Sequence, residues 1–550
     1  MRATTAGVVG AALLASTALG LAPSATAAPA PAPAAPASAA YAAAPAAAPT
    51  LRFVDIPGSG GITLKANVYT PAGYDGSQRY PVVVLPSSWA INDLEYLAQE
   101  KLLADSGYVV VSYTSRGFWL SGGEIETAGP PDVADVSEVI DWTLANTPAD
   151  PDRIGMAGVS YGAGISLLGA AHDPRIKAVA ALSGWADLVE SIYQGRTPHL
   201  QAAALLGGAA YLTGRPSAEL QSILSNFLSA NLANEDTMIA WGRLRSPLTY
   251  VDQLNAHHTA VMLANAWGDS LFPPNQYADF YEKLTGPKRL EFRPGDHATA
   301  EATGLLGLPN DTWTDARAWL DHYLKGSDNG IDRQPPVQLK SRSTGAYEGY
   351  ADWSAVPSRT EKLALGAKGL RTGALGGDAG SGWRTTIGTG ADSGADGGVI
   401  FLSSLLDQFA KAPPTASIPL LPRAFAGVWQ SQPYATARHV RGTAVLHTTL
   451  TPSAANGTVI AYLYDVDALG TGKLVAHAPY TWIGKTPGKA FGTDIALQAT
   501  AYDVPAGHRL ALVVDTADPL YIGENPAFAT VTFSSPAADP STLSVPLRDE

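Results

Sequence analysis

The stretch Arg153-Ile-Gly-Met-Ala-Gly158-Val-Ser160-Tyr-Gly162 reads as an apolar strand running straight into a serine flanked, two residues either side, by glycines. A hydroxyl is a weak nucleophile unless a base stands beside it. A Gly-x-Ser-x-Gly turn between a strand and a helix lifts Oγ to the top of a sheet, where a base can reach it. The pattern is short and recurs by chance in a chain rich in Gly and Ser. Its context gives it meaning: an apolar run precedes Ser160, and helix-forming residues from Ile165 to His172 follow it. Ser160 is therefore expected to be a nucleophile.

Working outward, Pro81 to Leu85 and Tyr108 to Ser112 are continuous apolar runs, the pattern of strands covered on both faces. Ile62 to Tyr69 alternates like an exposed antiparallel strand. Asp93 to Ser106 predicts a helix stopping at Gly107, and Asp132 to Asn146 a second one with Val133, Val136, Val139 and Ile140 on one face. Buried strands recur at 178–182, 260–265 and 289–292, and an amphipathic helix spans Thr312 to Lys325. This alternation implies a parallel sheet wound with helices, an α/β fold of the hydrolase type. Asp187 to Asn255 is Ala/Leu-rich and too long for a connecting loop. It predicts an inserted helical cap. Beyond Gly326 helical patterns vanish, a Gly-rich stretch runs from Gly373 to Gly398, and short alternating strands recur at 443–450, 458–464 and 509–514. That predicts a C-terminal all-β sandwich or jelly roll of the galactose-binding-like kind. The expected bounds are 51–326 for the catalytic domain, 187–255 for its cap and 335–550 for the β domain.

The chain has 550 residues, which implies two or more domains. Its net charge of −13 leaves no basic patch to neutralise phosphate, which argues against a nucleic-acid partner. Met1-Arg2, the apolar run Ala6 to Leu21 and the small residues Ser24 to Ala27 read as a signal peptide over 1–28, hence as a secreted protein. The apolar run breaks at Pro23, so no integral membrane segment is expected after its removal. Residues 29–50 are almost wholly Ala and Pro, a disordered spacer. The absence of cysteine excludes disulfides, thiolate metal sites and a cysteine nucleophile together. There is no His-Glu-x-x-His run and no Walker loop, and His257-His258 do not face one another on a helix, so no metal or phosphate site stands out. Nothing in the sequence fixes an oligomeric state.

An elbow serine needs an acid and a base that follow in the order Ser, Asp, His. Asp269, in Trp267-Gly-Asp269, stands just past the strand containing Val261. His297, in Arg293-Pro-Gly-Asp-His297, falls in a loop straight after a strand, whereas His322 lies within the closing helix. Asp296 is a rival acid, but a backbone neighbour rarely reaches Nδ1 of the adjacent imidazole, so Asp269 is preferred. The backbone N–H of Tyr161 supplies one oxyanion donor. A second is expected from the loop after the Pro81 to Leu85 strand: Ser87, Ser88, Trp89 or Ala90. Asp187 and Glu190 read as a solvated helix start rather than an amine site. Trp89, Phe118, Trp119, Tyr161 and Trp185 are candidates for an aromatic substrate pocket.

With these pieces in place the chain resembles the X-Pro dipeptidyl-peptidase and cocaine-esterase family of serine hydrolases. The resemblance runs from about Leu51 to the C-terminus. It rests on Thr114-Ser-Arg116-Gly117 followed by Ser121-Gly-Gly-Glu124, on the elbow, on Trp267-Gly-Asp269 and on Pro505-Ala-Gly-His-Arg-Leu510. It implies a Ser160–His297–Asp269 triad, an acyl-enzyme intermediate, no cofactor, and a pocket framed by the cap and the β domain. It further implies cleavage either after an N-terminal X-Pro dipeptide or of small esters and acylated amines. The family usually places a tyrosine hydroxyl after the third strand as second oxyanion donor, and this chain has Pro86-Ser-Ser-Trp89 there. The Trp89 indole, Ser87 or Ser88 would have to stand in. The sequence before His297 also departs from the aromatic-rich run of many relatives. On this resemblance, dipeptidyl-peptidase activity on a small peptide leads, and ester hydrolysis or acyl transfer of the cocaine-esterase kind is the alternative. A catalytically silent surface- or glycan-binding protein is the alternative of another class.

Overall fold

Runs of Val and Ala too apolar for any solvated face assemble into one ten-stranded sheet. The computed structural model describes residues 48–73, 77–229, 234–368, 370–377 and 380–549. The expected signal peptide, 1–28, and all but the end of the Ala/Pro spacer lie outside these described residues. The strands are β1 (Thr50–Gly58), β2 (Ile62–Thr70), β3 (Tyr80–Pro86), β4 (Val109–Tyr113), β5 (Ala149–Val159), β6 (Ile176–Leu182), β7 (Ala260–Ala266), β8 (Lys288–Arg293), β9 (Val337–Lys340) and β10 (Tyr347–Tyr350). Their order is β1-β2-β4-β3-β5-β6-β7-β8-β9-β10. Pairing is parallel from β4 through β3 to β9 and antiparallel at both edges.

The helices are α1 (Leu97–Asp105), α2 (Pro130–Asn146), α3 (Tyr161–His172), α4 (Leu188–Ile192), α5 (Leu200–Thr213), α6 (Ala218–Leu228), α7 (Glu235–Leu244), α8 (Val251–His257), α9 (Asn275–Lys283), α10 (Ala302–Leu305), α11 (Asp311–Lys325) and α12 (Leu402–Ala410). Because successive side chains of a strand point to opposite faces, the sheet carries two cores. Val83, Leu85, Val110, Ala157 and Val159 pack with Leu103 of α1 and Trp313, Trp319 and Leu320 of α11. Val82, Val84, Val109, Val111 and Met156 pack on the other face with Val136 and Val139 of α2 and Leu167 and Leu168 of α3. Helices α4 to α8 all lie in the single connection between β6 and β7 and form the cap.

Two expectations need correction. The sheet does not end with α11: β9 and β10 extend it to Tyr350, past the expected bound of 326. Helical structure does not vanish beyond Gly326 either, because α12 follows the Gly-rich stretch. The rest of the C-terminal domain is strand-rich. One sheet contains Arg359–Leu365, Val445–Pro452, Thr530–Ser534 and Thr542–Arg548; the other contains Gly427–Gln430, Gly457–Val466, Thr471–Trp482 and Arg509–Asp515. Leu363, Leu446 and Phe533 of the first share a core with Leu463, Val475 and Leu512 of the second. This domain is bound to the rest by specific contacts. The Asn275 side chain donates to Leu497 O and accepts from Ala499 N–H (2.9 and 2.6 Å), and Ser404 Oγ of α12 donates to Gly268 O (2.9 Å). Among the described residues no helix is long and apolar enough to cross a membrane.

Leu320 is buried between α11 and the sheet. Leu320→Ala is expected to destabilise the protein by about 2–5 kcal/mol in denaturant titration. Reactivity of Ser160 in the fraction that remains folded should be unchanged.

Candidate active site

Strand β5 ends at Val159 and α3 begins at Tyr161, so Ser160 alone makes the turn, at φ 58° and ψ −118°. Such a conformation costs a non-glycine residue roughly 1–3 kcal/mol and survives only where surrounding packing enforces it. The flanking glycines are needed for close approach. A Cβ on Gly158 would lie 2.5 Å from the carbonyl carbon of Gly162, and one on Gly162 would lie 2.2 Å from Pro86 O. The Ser160 N–H donates to Leu182 O at 2.9 Å, which ties the turn to β6.

The structure brings the three sequence-predicted side chains together. His297 Nε2 lies 2.8 Å from Ser160 Oγ, and its Nδ1 lies 3.0 Å from Asp269 Oδ2. Asp269 Oδ1 accepts from the N–H groups of Leu271 and Phe272 (2.9 and 2.8 Å), which fixes the carboxylate's orientation. Ser160, Asp269 and His297 are all buried. Burial works against protonation of His297, but the adjacent Asp269 carboxylate outweighs it, and the imidazole pKa rises above its usual value. Asp296, the rival acid, does not touch the ring. Its Oδ1 accepts from His297 N–H (2.6 Å), Ser270 N–H (2.8 Å) and Ser270 Oγ (2.7 Å), so it orders the loop that carries the histidine.

The loop after β3 corrects the expectation for the second oxyanion donor. The Trp89 indole donates to Leu206 O of the cap (3.0 Å) and is spent there. Ser87 N–H donates to Tyr113 O (3.0 Å), while Ser88 donates through N–H to Glu95 (2.7 Å) and its Oγ lies 2.6 Å from Glu95 Oε1 and 2.9 Å from Val159 O. Among the described residues, the backbone N–H groups left without a protein acceptor beside Ser160 include that of Tyr161, at the first position of α3, and those of Trp89 and Ala90 in the loop after β3. The Glu95–Ser88 clamp that sets this loop against β5 was not legible in the sequence, since only folding brings a carboxylate seven residues on back to the strand end.

A cavity opens on Ser160, lined by Trp89, Trp185, Leu188, Leu206, Phe227, Trp241 and Phe272 among others, with no charged side chain in its wall. Trp185 is thus a wall residue as expected. Phe118 instead packs behind Trp89, edge to face at 4.9 Å, and Trp119 is 47% exposed with its indole donating to Ala90 O. Neither lines the cavity. Asp187 caps α4 by accepting from Val189 and Glu190 N–H, and it too stands outside the cavity wall. Arg116 of the Thr114-to-Gly117 motif makes a buried two-pronged pair with Asp135 (2.7 and 2.8 Å), so that motif joins β4 to α2 and touches no reacting atom. Among the described residues no group of three or more His, Asp or Glu could hold a metal ion.

Gly162→Ala is expected to slow fluorophosphonate labelling of Ser160 roughly tenfold or more, since its Cβ must displace the backbone on which the elbow rests. Labelling of the folded variant at the wild-type rate would contradict this.

Residues 60–299 match the family model described as X-Pro dipeptidyl-peptidase (S15 family), and residues 329–543 match that of the X-Pro dipeptidyl-peptidase C-terminal non-catalytic domain. A putative Xaa-Pro dipeptidyl-peptidase of Bacillus cereus is 22% identical over 284 residues, covering 46% of this chain and 46% of that protein. The chain thus spans about half the length of that curated relative. An aminopeptidase from a marine sediment Thaumarchaeota archaeon shares the fold at 16% identity and a TM-score of 0.68, covering 91% of this chain and 97% of that one. An alpha-amino acid ester hydrolase does so at 16% identity and a TM-score of 0.65, covering 93% and 98%. With an α/β-hydrolase domain and an all-β C-terminal domain each matched by its own model, the chain belongs to the X-Pro dipeptidyl-peptidase (S15) family of hydrolases.

Proposed function

We propose that this hydrolase cleaves carboxylic esters with a bulky apolar acyl group, through an acyl-enzyme on Ser160. The observation that carries the reading is the wall of the cavity on Ser160, which contains no carboxylate. An X-Pro dipeptide carries an α-ammonium, and moving that charge out of water without a partner is costly. An aliphatic or aromatic acyl chain gains about 0.8 kcal/mol per methylene buried in the same space. The solved relatives of this fold carry both peptidase and ester-hydrolase names, so the fold does not discriminate. The wall chemistry supports the ester reading over the dipeptidyl-peptidase activity to which the family resemblance points.

In this mechanism Ser160 Oγ attacks the ester carbonyl while His297 Nε2 takes its proton. The backbone N–H groups of Tyr161 and of Trp89 or Ala90 receive the developing oxyanion. As the C–O bond of the ester breaks, His297 returns the proton to the leaving alkoxide. Water then repeats the sequence on the acyl-enzyme. Asp269 holds the imidazole tautomer and stabilises the imidazolium. With residues 1–28 acting as a signal peptide, this chemistry takes place outside the cell.

The reading is tested with p-nitrophenyl octanoate, p-nitrophenyl acetate and Ala-Pro-p-nitroanilide on purified protein. The octanoate is expected to exceed the acetate in kcat/KM by about tenfold or more, and Ser160→Ala should abolish turnover. Efficient cleavage of the anilide with little turnover of either ester would overturn the proposal. The base works only when neutral, so kcat/KM should fall as pH drops through the raised pKa of His297. Asp269→Asn removes the charge that raises it. That variant should move the acid limb to lower pH and cut kcat roughly 10³–10⁴-fold, read from a pH–rate profile.

A further inference from the structure

A second cavity is walled by Asp269 and Ser270 of the catalytic domain, Gln194 and His199 of the cap, and Gln498 and Tyr521 of the β domain. Ser160 lines the acyl cavity, Asp269 lines this one, and His297 stands between the two side chains, hydrogen-bonded to both. Ile192 lines both cavities.

The chamber is polar but carries no uncompensated charge. Arg342 in its wall is held by Asp407 (3.2 and 2.8 Å) and by Val475 O (2.6 Å). Asp269 is fully engaged by His297 and two backbone N–H groups. His199 accepts the Ala202 N–H on Nδ1 at 3.2 Å, and burial lowers its pKa to about 4, so at neutral pH the ring carries its one proton on Nε2. That Nε2, and the side-chain amides of Gln194 and Gln498, have no protein partner among the described residues. They come from cap and β domain and meet in one space. His477, whose Nε2 lies 3.0 Å from the Tyr521 hydroxyl, adds a neutral aromatic surface.

A leaving alkoxide must take its proton from His297, so the alcohol portion of an ester departs on the imidazole side of Ser160, away from the acyl chain. We propose that this chamber receives that alcohol portion, and that the portion is an uncharged polyol such as a sugar or glycerol. The inference rests on the ester reading. Neutral donors and acceptors without a partner match hydroxyl groups, which both donate and accept. A carboxylate or an ammonium would find no opposite charge free to meet it.

The test holds the acyl group constant. p-Nitrophenyl octanoate, ethyl octanoate, 1-octanoylglycerol and methyl 6-O-octanoyl-α-D-glucopyranoside are compared in wild type, Gln194→Leu and Gln498→Leu. The polyol esters are expected to exceed ethyl octanoate in kcat/KM, and each variant to lose about tenfold on them while keeping wild-type turnover of the p-nitrophenyl and ethyl esters. The glucoside and glycerol esters differ in reach, so their ratio separates a sugar from a glyceride as natural alcohol. Saturation-transfer NMR between wild-type protein and methyl α-D-glucopyranoside or glycerol reads the chamber without turnover, and the signal should weaken in Gln498→Leu. Equal turnover of ethyl and polyol esters in wild type, equal losses on all four esters in the variants, or no saturation transfer would overturn the proposal. No turnover of any octanoate would overturn the ester reading itself, and with it the chamber's role as an alcohol site.

Discussion

The whole site depends on the contact between the first turn of α3 and the end of β3 at the elbow. Gly162 must approach Pro86 O so closely that no β-carbon fits, and Gly158 must approach Gly162 in the same way. That contact holds Ser160 at positive φ and points its hydroxyl out of the sheet. It also brings the loop after β3, clamped by Ser88 to Glu95 and to Val159 O, against the first turn of α3. Strain at one residue is thus maintained by three backbone segments that the parallel sheet delivers to the same place. The cores on both faces of the sheet supply the rigidity that keeps it there.

Around this fixed centre the two accessory parts present different surfaces. The cap covers Ser160 with aliphatic and aromatic side chains and supplies the acceptor, Leu206 O, that takes the Trp89 indole. The β domain, whose family description is non-catalytic, reaches the other side of the histidine. Phe401, just before α12, stands 6.2 Å from the His297 ring, and Ser404 holds Gly268 O. On the proposed reading, acyl selection belongs to the cap and alcohol selection to the junction of cap and β domain. On the same reading His297, bonded to Ser160 on one side and Asp269 on the other, serves both. Buried carboxyls near it, Glu301 held by Ser183 Oγ and Asp296 held by Ser270, have pKa values pushed up by burial to about 7 and about 6. They shape the field at the imidazole without touching it.

Much of this was legible in the sequence because it rests on local signals. The elbow is a contiguous pattern, and Asp269 and His297 each follow a buried strand in the order that a wound sheet requires. The long helical insert could only be a cap, since no loop needs that many Ala and Leu. What the sequence hid depends on partners far along the chain. Trp89 looked free to donate through its indole, but Leu206, 117 residues later, accepts that proton. Trp119 and Phe118 lie close to Trp89 but do not reach the cavity: one faces solvent and the other fills the core behind it. The sheet's extension by β9 and β10 was invisible because four-residue edge strands carry too little periodicity to be read. Helix α12 was masked by the Gly-rich run before it, although Leu402, Leu405, Leu406 and Phe409 have helical spacing. The polar chamber draws its residues from several separate stretches, which no local pattern joins.

The central claim is that Ser160, set by the elbow and served by His297 and Asp269, carries the acyl group of an apolar ester. The most direct measurement is peptide mass spectrometry on protein quenched in acid during turnover of p-nitrophenyl octanoate. The account predicts one octanoyl group per chain, on the peptide that contains Ser160, and none in Ser160→Ala. An octanoyl group on any other residue, or turnover of the ester by Ser160→Ala at the wild-type rate, would contradict it.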